Sequence, residues 1–296
     1  MKIARKPEWL RKRVRIAAQD EMERLLGELR LNTVCREARC PNVTECFRQK
    51  QATFLILGTA CTRRCTFCSV EKGAPLSADP EEPARVAAAV ARLALAHVVI
   101  TSPTRDDLPD GGAALFAATV TAIRRHSPAT RIELLVPDFQ GSRSSIARIG
   151  EAGPDVIGHN VETVPRLYAI RPGAVYRRSL EVLTIIKEVT PATPTKSGLM
   201  LGLGEDLDEV RGVLADLKEA GCSYISLGQY LAPSRRHQPV ADFIPPGTFD
   251  LLKREALQLG FAHVESGPYV RSSYHASDYV VGENRPRTSI PGYPPR

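Results

Sequence analysis

The sequence lacks a long apolar run. Its most apolar stretches, such as residues 91–100 (ARLALAHVVI), are much shorter than the roughly 20 residues that span a bilayer. The first fifteen residues also lack the apolar core of a secretory signal. We therefore expect a soluble protein without a membrane partner, located in the cytoplasm, or in an organelle if the source is eukaryotic.

Cysteine is nearly absent outside one short segment. Of the seven cysteines, only Cys222 lies outside residues 35–68. Disulfides of secreted proteins usually connect distant parts of a chain, so this crowding indicates metal ligands instead. Cys222 begins an apolar run, and we expect it to be a small buried hydrophobic residue.

No recognised nucleic-acid-binding module is present, although the chain is basic. The formal charge is +7 and the isoelectric point about 9.1, which favours an acidic partner by long-range attraction. The basic residues are scattered, and no aromatic residues alternate with them in a stripe. We expect no nucleic-acid partner, since an acidic protein accounts equally well for the charge.

Past residue 50, short apolar segments rich in β-formers alternate with amphipathic stretches. This alternation is typical of repeated βα units around a parallel sheet. Predicted strands are 53–58, 97–102, 131–137, 155–161, 197–203 and 224–230, and predicted helices are 82–94, 112–126, 142–153, 176–189, 206–221 and 246–260.

Six βα units predict an α/β fold, namely a partial (β/α)6 TIM-type barrel. Eight units are not available, so we expect an open barrel with its site at the carboxyl ends of the strands. Three regions follow: an N-terminal helical extension (1–50), the barrel (51–265) and a C-terminal tail (266–296) containing the motif RSSY.

Cys61, Cys65 and Cys68 form a CxxxCxxC motif directly after the first predicted strand. Three thiolates on one loop can bind three irons of a cubane cluster and leave the fourth iron free to chelate a small molecule. The zinc alternative calls for CxxC pairs with about four ligands in all.

The segment CTRRCTFC, with Phe67 before its last cysteine, resembles the signature of the radical S-adenosylmethionine (SAM) superfamily, as does GLMLGLGE at 198–205. In that superfamily the methionyl amine and carboxylate of SAM bind the unique iron, and an electron from the cluster generates a 5'-deoxyadenosyl radical. The superfamily's GGE motif is missing after the second strand. The resemblance therefore predicts that Thr101 and Ser102 serve the amine instead.

A second triplet, CxxxxCxxxxxC at Cys35, Cys40 and Cys46, precedes the first. The two triplets in this order resemble those of the lipoyl synthases, and further matching motifs extend the resemblance from about Lys6 to Ala276: RDDLPDGG, HNVETVPRLY, TKSGLMLGLGE, GQYLAPSRRHQPV and GPYVRSSYHA. The resemblance implies a sulfurtransferase that inserts sulfur at C6 and C8 of a protein-bound octanoyl-lysine, using two SAM per product.

This resemblance also implies two 4Fe-4S clusters. Cys61, Cys65 and Cys68 would hold the reducing cluster, and the first triplet would hold an auxiliary cluster that supplies the sulfur. A serine of RSSY completes the auxiliary site in the family. We assign it to Ser273, with Ser272 as the other candidate.

Four further residues are candidate SAM contacts. Asn160 and Glu162, in HNVETV, match the family pattern, although capping of the next helix is an alternative role. Arg178 and Lys196 are positioned to meet a carboxylate, and a solvated position suits either residue equally well.

The expected partners follow from the same resemblance. They are octanoylated lipoyl-carrier domains (acyltransferase subunits of 2-oxoacid dehydrogenases or the glycine cleavage H protein), a ferredoxin- or flavodoxin-like reductant, and an iron–sulfur cluster carrier. Two alternatives stay open: an iron–sulfur electron carrier or scaffold, and a radical enzyme of another specificity such as biotin synthase.

Overall fold

One eight-stranded sheet organises the fold in the computed structural model, which describes residues 6–10, 20–49, 51–274 and 276. Its strand order is β1-β2-β5-β6-β7-β8-β9-β10, and β3 pairs with β4 separately. All neighbours in the large sheet are parallel except β1 and β2. The strands are β1 (Asn32–Thr33), β2 (Thr53–Leu55), β3 (Ala60–Cys61), β4 (Glu71–Lys72), β5 (His97–Thr101), β6 (Arg131–Leu135), β7 (Val156–Gly158), β8 (Thr195–Leu201), β9 (Tyr224–Gln229) and β10 (His263–Gly267).

Helices follow the parallel strands, as the sequence predicts. In α8, residues 210, 213, 214 and 217 are buried on one face, and the capping box of Asp206 and Glu209 fixes where the helix begins. No helix in the described ranges is long and apolar enough to cross a bilayer. The helices are α1 (Asp20–Glu28), α2 (Val34–Glu37), α3 (Val43–Arg48), α4 (Glu82–Leu93), α5 (Ala113–His126), α6 (Arg143–Glu151), α7 (Tyr176–Val189), α8 (Leu207–Glu219) and α9 (Pro246–Gln258).

All six predicted strands are confirmed, and the βα order is that of a partial TIM-type barrel. The sequence did not predict β10, a seventh parallel strand in which only Val264 is buried. Such a weakly apolar strand forms because β9 offers it a pairing edge, a tertiary effect that local propensity does not contain. The proposed boundary between residues 265 and 266 falls inside this strand.

Two hydrophobic clusters form the core. The larger one packs β2, β5 and β6 against α4, α5 and α6, with Phe54, Ile100 and Phe116 fully buried. The second packs β8 and β9 against α8 and α9. The helices are thereby fixed on the outside of the sheet, and the strand ends remain free to carry polar side chains.

His159, directly after β7, is buried and uncharged. Its ring nitrogens lie 2.9 Å from the Val136 carbonyl oxygen and 3.1 Å from Ser179 Oγ. Burial lowers its pKa from 6.5 to about 4, and the nearby positive charge of Arg171 acts in the same direction. The unfolded chain therefore takes up a proton at a pH where the folded protein does not.

This difference predicts a pH-dependent stability. Because the folded pKa lies below the unfolded one, stability is complete above pH 6.5 and falls as the pH drops toward 4, by up to about 1.4 kcal/mol per pH unit. In urea unfolding of the metal-free protein between pH 7 and 5, His159→Gln should flatten this dependence. The same change at exposed His126 should leave the slope intact, and an unaltered slope in His159→Gln would contradict the assignment.

Candidate iron–sulfur and cofactor site

The loop after β2 brings Cys61, Cys65 and Cys68 together. The Cys68 amide donates to the Cys65 carbonyl (3.3 Å), and the Arg63 amide lies 3.4 Å from Cys61 Sγ. Burial raises the pKa of Cys68 to about 11, and the two other thiols of the triplet also raise it. Such thiols become strong metal ligands once iron binding displaces their protons.

Arg63, within this loop, is anchored by two carboxylates. Its guanidinium lies 2.8 Å from Asp106 Oδ2 and 2.6 Å from Asp138 Oδ1. Burial alone would raise the pKa of Asp138, but the contacts with Arg63 hold it at about 2. The loop is therefore tied to the segments after β5 and β6 by charge-assisted hydrogen bonds.

The first triplet lies on short helical turns next to β2. Cys35 belongs to α2 and Cys46 to α3, while the Cys40 amide donates to the Cys35 carbonyl (3.0 Å). The pKa of Cys35 is raised to about 11, mainly by burial and further by the neighbouring Cys40 thiol. A hydrogen bond from the Thr53 backbone opposes this rise. Cys35 and Cys40 are thus electrostatic neighbours.

The segment 269–274, which contains RSSY, docks on this triplet. Asn42 Nδ2 donates to the Tyr269 carbonyl oxygen (2.7 Å), and the Tyr274 hydroxyl donates to Glu45 Oε1 (3.1 Å). Residues more than 220 positions apart in the sequence are therefore joined. The predicted tail beyond residue 276 lies outside the described residues.

One cavity of about 480 Å³ connects the two triplets. Its wall includes Cys68 of the second triplet, residues of several parallel strands, the first triplet and the docked segment. Apolar side chains such as Leu135, Leu199 and Met200 line it beside polar groups. The predicted metal ligands on its wall are Cys35, Cys40, Cys46, Cys68 and Ser273.

Among the predicted SAM contacts, Asn160 and Glu162 line this cavity. Asn160 Nδ2 donates to Glu162 Oε1 (3.1 Å), whereas Asn160 Oδ1 is buried without a partner among the described residues. Glu162 has φ +66°, a strained value that its backbone hydrogen bonds to Gly198 and Met200 maintain. Gly198 leaves room here, because a Cβ would lie 2.8 Å from Asn160 Oδ1.

The other four candidates do not line the cavity. Thr101 is buried, with its hydroxyl donating to the Leu135 carbonyl oxygen (2.7 Å), and the buried Ser102 hydroxyl has no partner in the described ranges. Lys196 forms a buried ion pair with Glu133 (2.9 Å). Arg178 lies 3.3 Å from Asp138. For these four residues, contact with SAM stays a prediction.

Several residues of the site escaped sequence analysis. Arg63 and Asp138 lie 75 positions apart, and their pairing left no local pattern. Buried Arg171 donates to the Val161 carbonyl oxygen (2.8 Å), and its guanidinium carbon lies over the Tyr168 ring, 5.0 Å from the ring centroid. In the sequence, Asp138 was notable only for following a predicted strand, and Arg63 only for lying between two predicted metal ligands.

The donor sets fit clusters better than single ions. No three His, Cys, Asp or Glu side chains in the described part of the chain converge tightly enough to hold one metal ion. In a cubane cluster each thiolate binds a different iron, so the ligands stand farther apart than around one ion. Three half-buried thiols on one short loop meet that requirement.

Comparisons with known proteins agree with this chemistry. The profile of the Radical SAM superfamily matches residues 55–217. The chain is 67% identical over 282 residues to a lipoyl synthase of Geobacter sulfurreducens, covering 95% of this chain and 93% of that one. It is 54% identical over 274 residues to a lipoyl synthase of Acidithiobacillus ferrooxidans, covering 92% and 86%.

Solved structures add support for the fold alone. Methylornithine synthase aligns with a TM-score of 0.54 at 14% identity, covering 84% of this chain and 79% of that one. A hydrogenase maturase aligns with a TM-score of 0.52 at 12% identity, covering 76% and 58%. Both share the overall fold of this chain.

The docked segment predicts an effect of Gly228→Ala. A Cβ at residue 228 would lie 2.1 Å from the Val270 carbonyl oxygen, and neither backbone can yield without displacing residues 269–274. We expect a loss of about 1–3 kcal/mol of stability in chemical unfolding, with faster amide exchange in this segment. Gly212→Ala is the matched control, because a Cβ there meets nothing within 4 Å; equal stabilities of the two variants would contradict the close approach.

Proposed function

The chain belongs to the lipoyl synthase family of radical SAM enzymes, and on that premise we propose how its residues serve the reaction. Enzymes of this family are sulfurtransferases that insert sulfur at C6 and C8 of a protein-bound octanoyl-lysine. The observation that carries our proposal is the cavity lined by all three cysteines of the first triplet, by Cys68 of the second triplet and by Ser273.

We assign one 4Fe-4S cluster to each triplet. Cys61, Cys65 and Cys68 hold the cluster that binds SAM, and the first triplet holds the auxiliary one. When bound, the first cluster with SAM supplies the hydrogen-abstracting radical, twice per product, and the auxiliary cluster supplies the sulfur. The protein's part is to place the octanoyl chain between the two sites and to keep water away from it.

Ser273 is the better candidate for the fourth auxiliary ligand. The Ser272 hydroxyl already accepts a hydrogen bond from Asn160 Nδ2 at 2.6 Å, whereas the Ser273 hydroxyl makes no hydrogen bond within the described residues. A serine oxygen is a hard ligand among soft thiolates and should be released more easily than a fourth cysteine. That lability suits a cluster that must give up sulfur.

SAM lies, in our proposal, against Asn160, Glu162 and Gly198. The unpartnered Asn160 Oδ1 offers an acceptor to the ammonium or a ribose hydroxyl of the cofactor. Gly198 allows close approach at the same point of the wall. The pKa of Glu162 is raised, because the effect of burial outweighs the opposing effect of the nearby positive charge of Arg171.

The proposed function also specifies the partner proteins. We propose octanoylated domains of 2-oxoacid dehydrogenase complexes or the glycine cleavage H protein as substrates. We further propose a ferredoxin- or flavodoxin-like donor, an iron–sulfur cluster carrier for repair, and a cytoplasmic location. The three regions 1–50, 51–265 and 266–296 remain our proposed division.

A basic surface near the second triplet supports docking of an acidic carrier. Arg235 and Arg236 are exposed, belong to a loop that also contributes Ala232 and Pro233 to the cavity wall, and have no ion pair in the described structure. The loop is fixed to the cluster loop, because the Gln238 amide donates to the Thr66 carbonyl oxygen (2.9 Å). Arg64 and Lys72, on and just after the loop of the second triplet, are exposed as well, as is the acidic Glu71.

The decisive experiment uses anaerobically reconstituted protein, dithionite, excess SAM and an octanoyl-lysine peptide. We expect mass spectrometry to find a product with two added sulfurs, accompanied by two 5'-deoxyadenosines. An electron carrier or scaffold makes no 5'-deoxyadenosine, and an enzyme of other specificity adds no sulfur to this peptide. Either result would refute the proposed function.

Variants separate the two clusters in the same assay. Cys61→Ala should abolish both products, because SAM then has no iron to bind. Cys35→Ala should leave 5'-deoxyadenosine formation at saturating SAM but insert no sulfur. Ser273→Cys should bind iron and transfer sulfur poorly, and unchanged turnover in that variant would move the assignment to another ligand.

The carrier-docking surface gives a separate prediction. Arg235→Glu with Arg236→Glu should raise KM for an octanoylated H protein by about tenfold at low salt, with kcat unchanged, because charge complementarity acts mainly on encounter. The octanoyl-lysine peptide should react as before. Arg125→Glu, at the exposed carboxyl end of α5, is the charge-matched control for Arg235→Glu alone; an equal effect from these two single variants would show that total charge, not this surface, governs docking.

A further inference from the structure

Ser272 and Ser273 are neighbours in the chain and both line the cavity, but only Ser272 makes a hydrogen bond to a proposed SAM residue. Ser273 lies on the cavity wall with the first triplet, and Ser272 Oγ lies 2.6 Å from Asn160 Nδ2. A Cβ at Gly198 would lie 3.0 Å from that same oxygen. The docked segment therefore contacts the proposed SAM site as well as the auxiliary cysteines.

The contact from Ser272 fixes how the Asn160 amide is oriented. The Nδ2 group donates to Glu162 Oε1 and to Ser272 Oγ, so both amide hydrogens are used. Asn160 Oδ1 is consequently turned toward Gly198, buried and without a donor in the described structure. A buried acceptor of this kind is costly unless a ligand supplies the missing donor.

Three contacts make the position of Ser272 depend on the auxiliary site. Asn42 holds Tyr269, Glu45 holds Tyr274, and Ser273, by the proposed function on which this inference rests, binds an iron of the auxiliary cluster. Loss of that cluster removes the iron bond one residue from Ser272. The hydrogen bonds to Asn42 and Glu45 then hold the segment without that bond to iron.

We propose that Ser272 is a positioning residue that couples the auxiliary cluster to SAM binding. With the cluster intact, Ser272 holds Asn160 in the orientation that accepts a hydrogen bond from SAM. Once the cluster is lost, Asn160 is freed and SAM binds more weakly. The coupling is reciprocal, since SAM must then favour the docked segment to the same extent. An enzyme without its sulfur source is thereby kept from binding SAM tightly.

The test is a cycle of SAM dissociation constants, measured by equilibrium dialysis on the anaerobic full-length enzyme. Its arms are the wild type, Ser272→Ala, the triple change Cys35→Ala, Cys40→Ala and Cys46→Ala, and all four changes together. We expect Ser272→Ala and the triple cysteine change each to weaken SAM binding by about tenfold. Together they should be no worse than either alone, because they interrupt one coupling.

The controls exclude a general loss of structure. Ser226→Ala alters another cavity serine, paired in register with Gly198 but bonded to the Ser197 carbonyl oxygen, and should leave SAM affinity within about twofold. Ser272→Ala should keep its iron and sulfide content. If it loses iron, the triple cysteine variant with Ser272 present still tests the coupling.

Two results would overturn the proposal. One is an unchanged SAM affinity in Ser272→Ala or in the triple cysteine variant; the other is additive losses when all changes are combined. Failure of the proposed function is distinguishable, because the wild type would then add no sulfur to the octanoyl peptide, or the triple variant would retain the iron of both clusters. Neither of those outcomes depends on Ser272.

Discussion

The docking of residues 269–274 on the first cysteine triplet is the interaction on which the functional architecture depends. In the proposed function, three thiols leave a four-iron cluster one ligand short, so a donor must arrive from elsewhere in the chain. Strand β10 delivers it by pairing with β9, after which the chain turns past Gly228 close enough to exclude any side chain. An eight-unit barrel would fill this position with further strands, and the partial barrel leaves it open for the segment.

The second triplet depends on a different kind of support. Its loop is anchored internally through Arg63, whose guanidinium bridges carboxylates that follow β5 and β6. The pair with Asp138 is well buried, with the Asp138 side chain only 1% exposed, so either partner would be costly to leave alone. The loop that carries the second triplet is consequently held in place by strong contacts, while Cys68 lies on the cavity wall.

The sequence predicted what local periodicity and ligand spacing can encode. The six strands and the helices α4 to α9 have clear apolar patterns, and the two triplets are recognisable from spacing alone. Strand β10 escaped because His263, Glu265 and Ser266 give it no apolar alternation. Arg63 with Asp138 and Ser272 with Asn160 escaped because their pairing exists only once distant strand ends meet. For Lys196, the sequence suggested a strand-end lysine that is solvated or binds a ligand carboxylate. The structure instead buries it in an ion pair with Glu133, a partner that no local pattern indicates.

The separation of the docked segment from the first triplet has a consequence for biosynthesis. On the ribosome, Cys61, Cys65 and Cys68 emerge with the first βα unit, and Arg63 finds Asp138 as soon as the third strand has been made. Asn42 and Glu45 wait for partners more than 220 residues behind them. Under the proposed function, maturation is therefore ordered in time: the second triplet can receive its cluster on a nascent chain, whereas the first triplet is completed only after residues 269–274 have been translated.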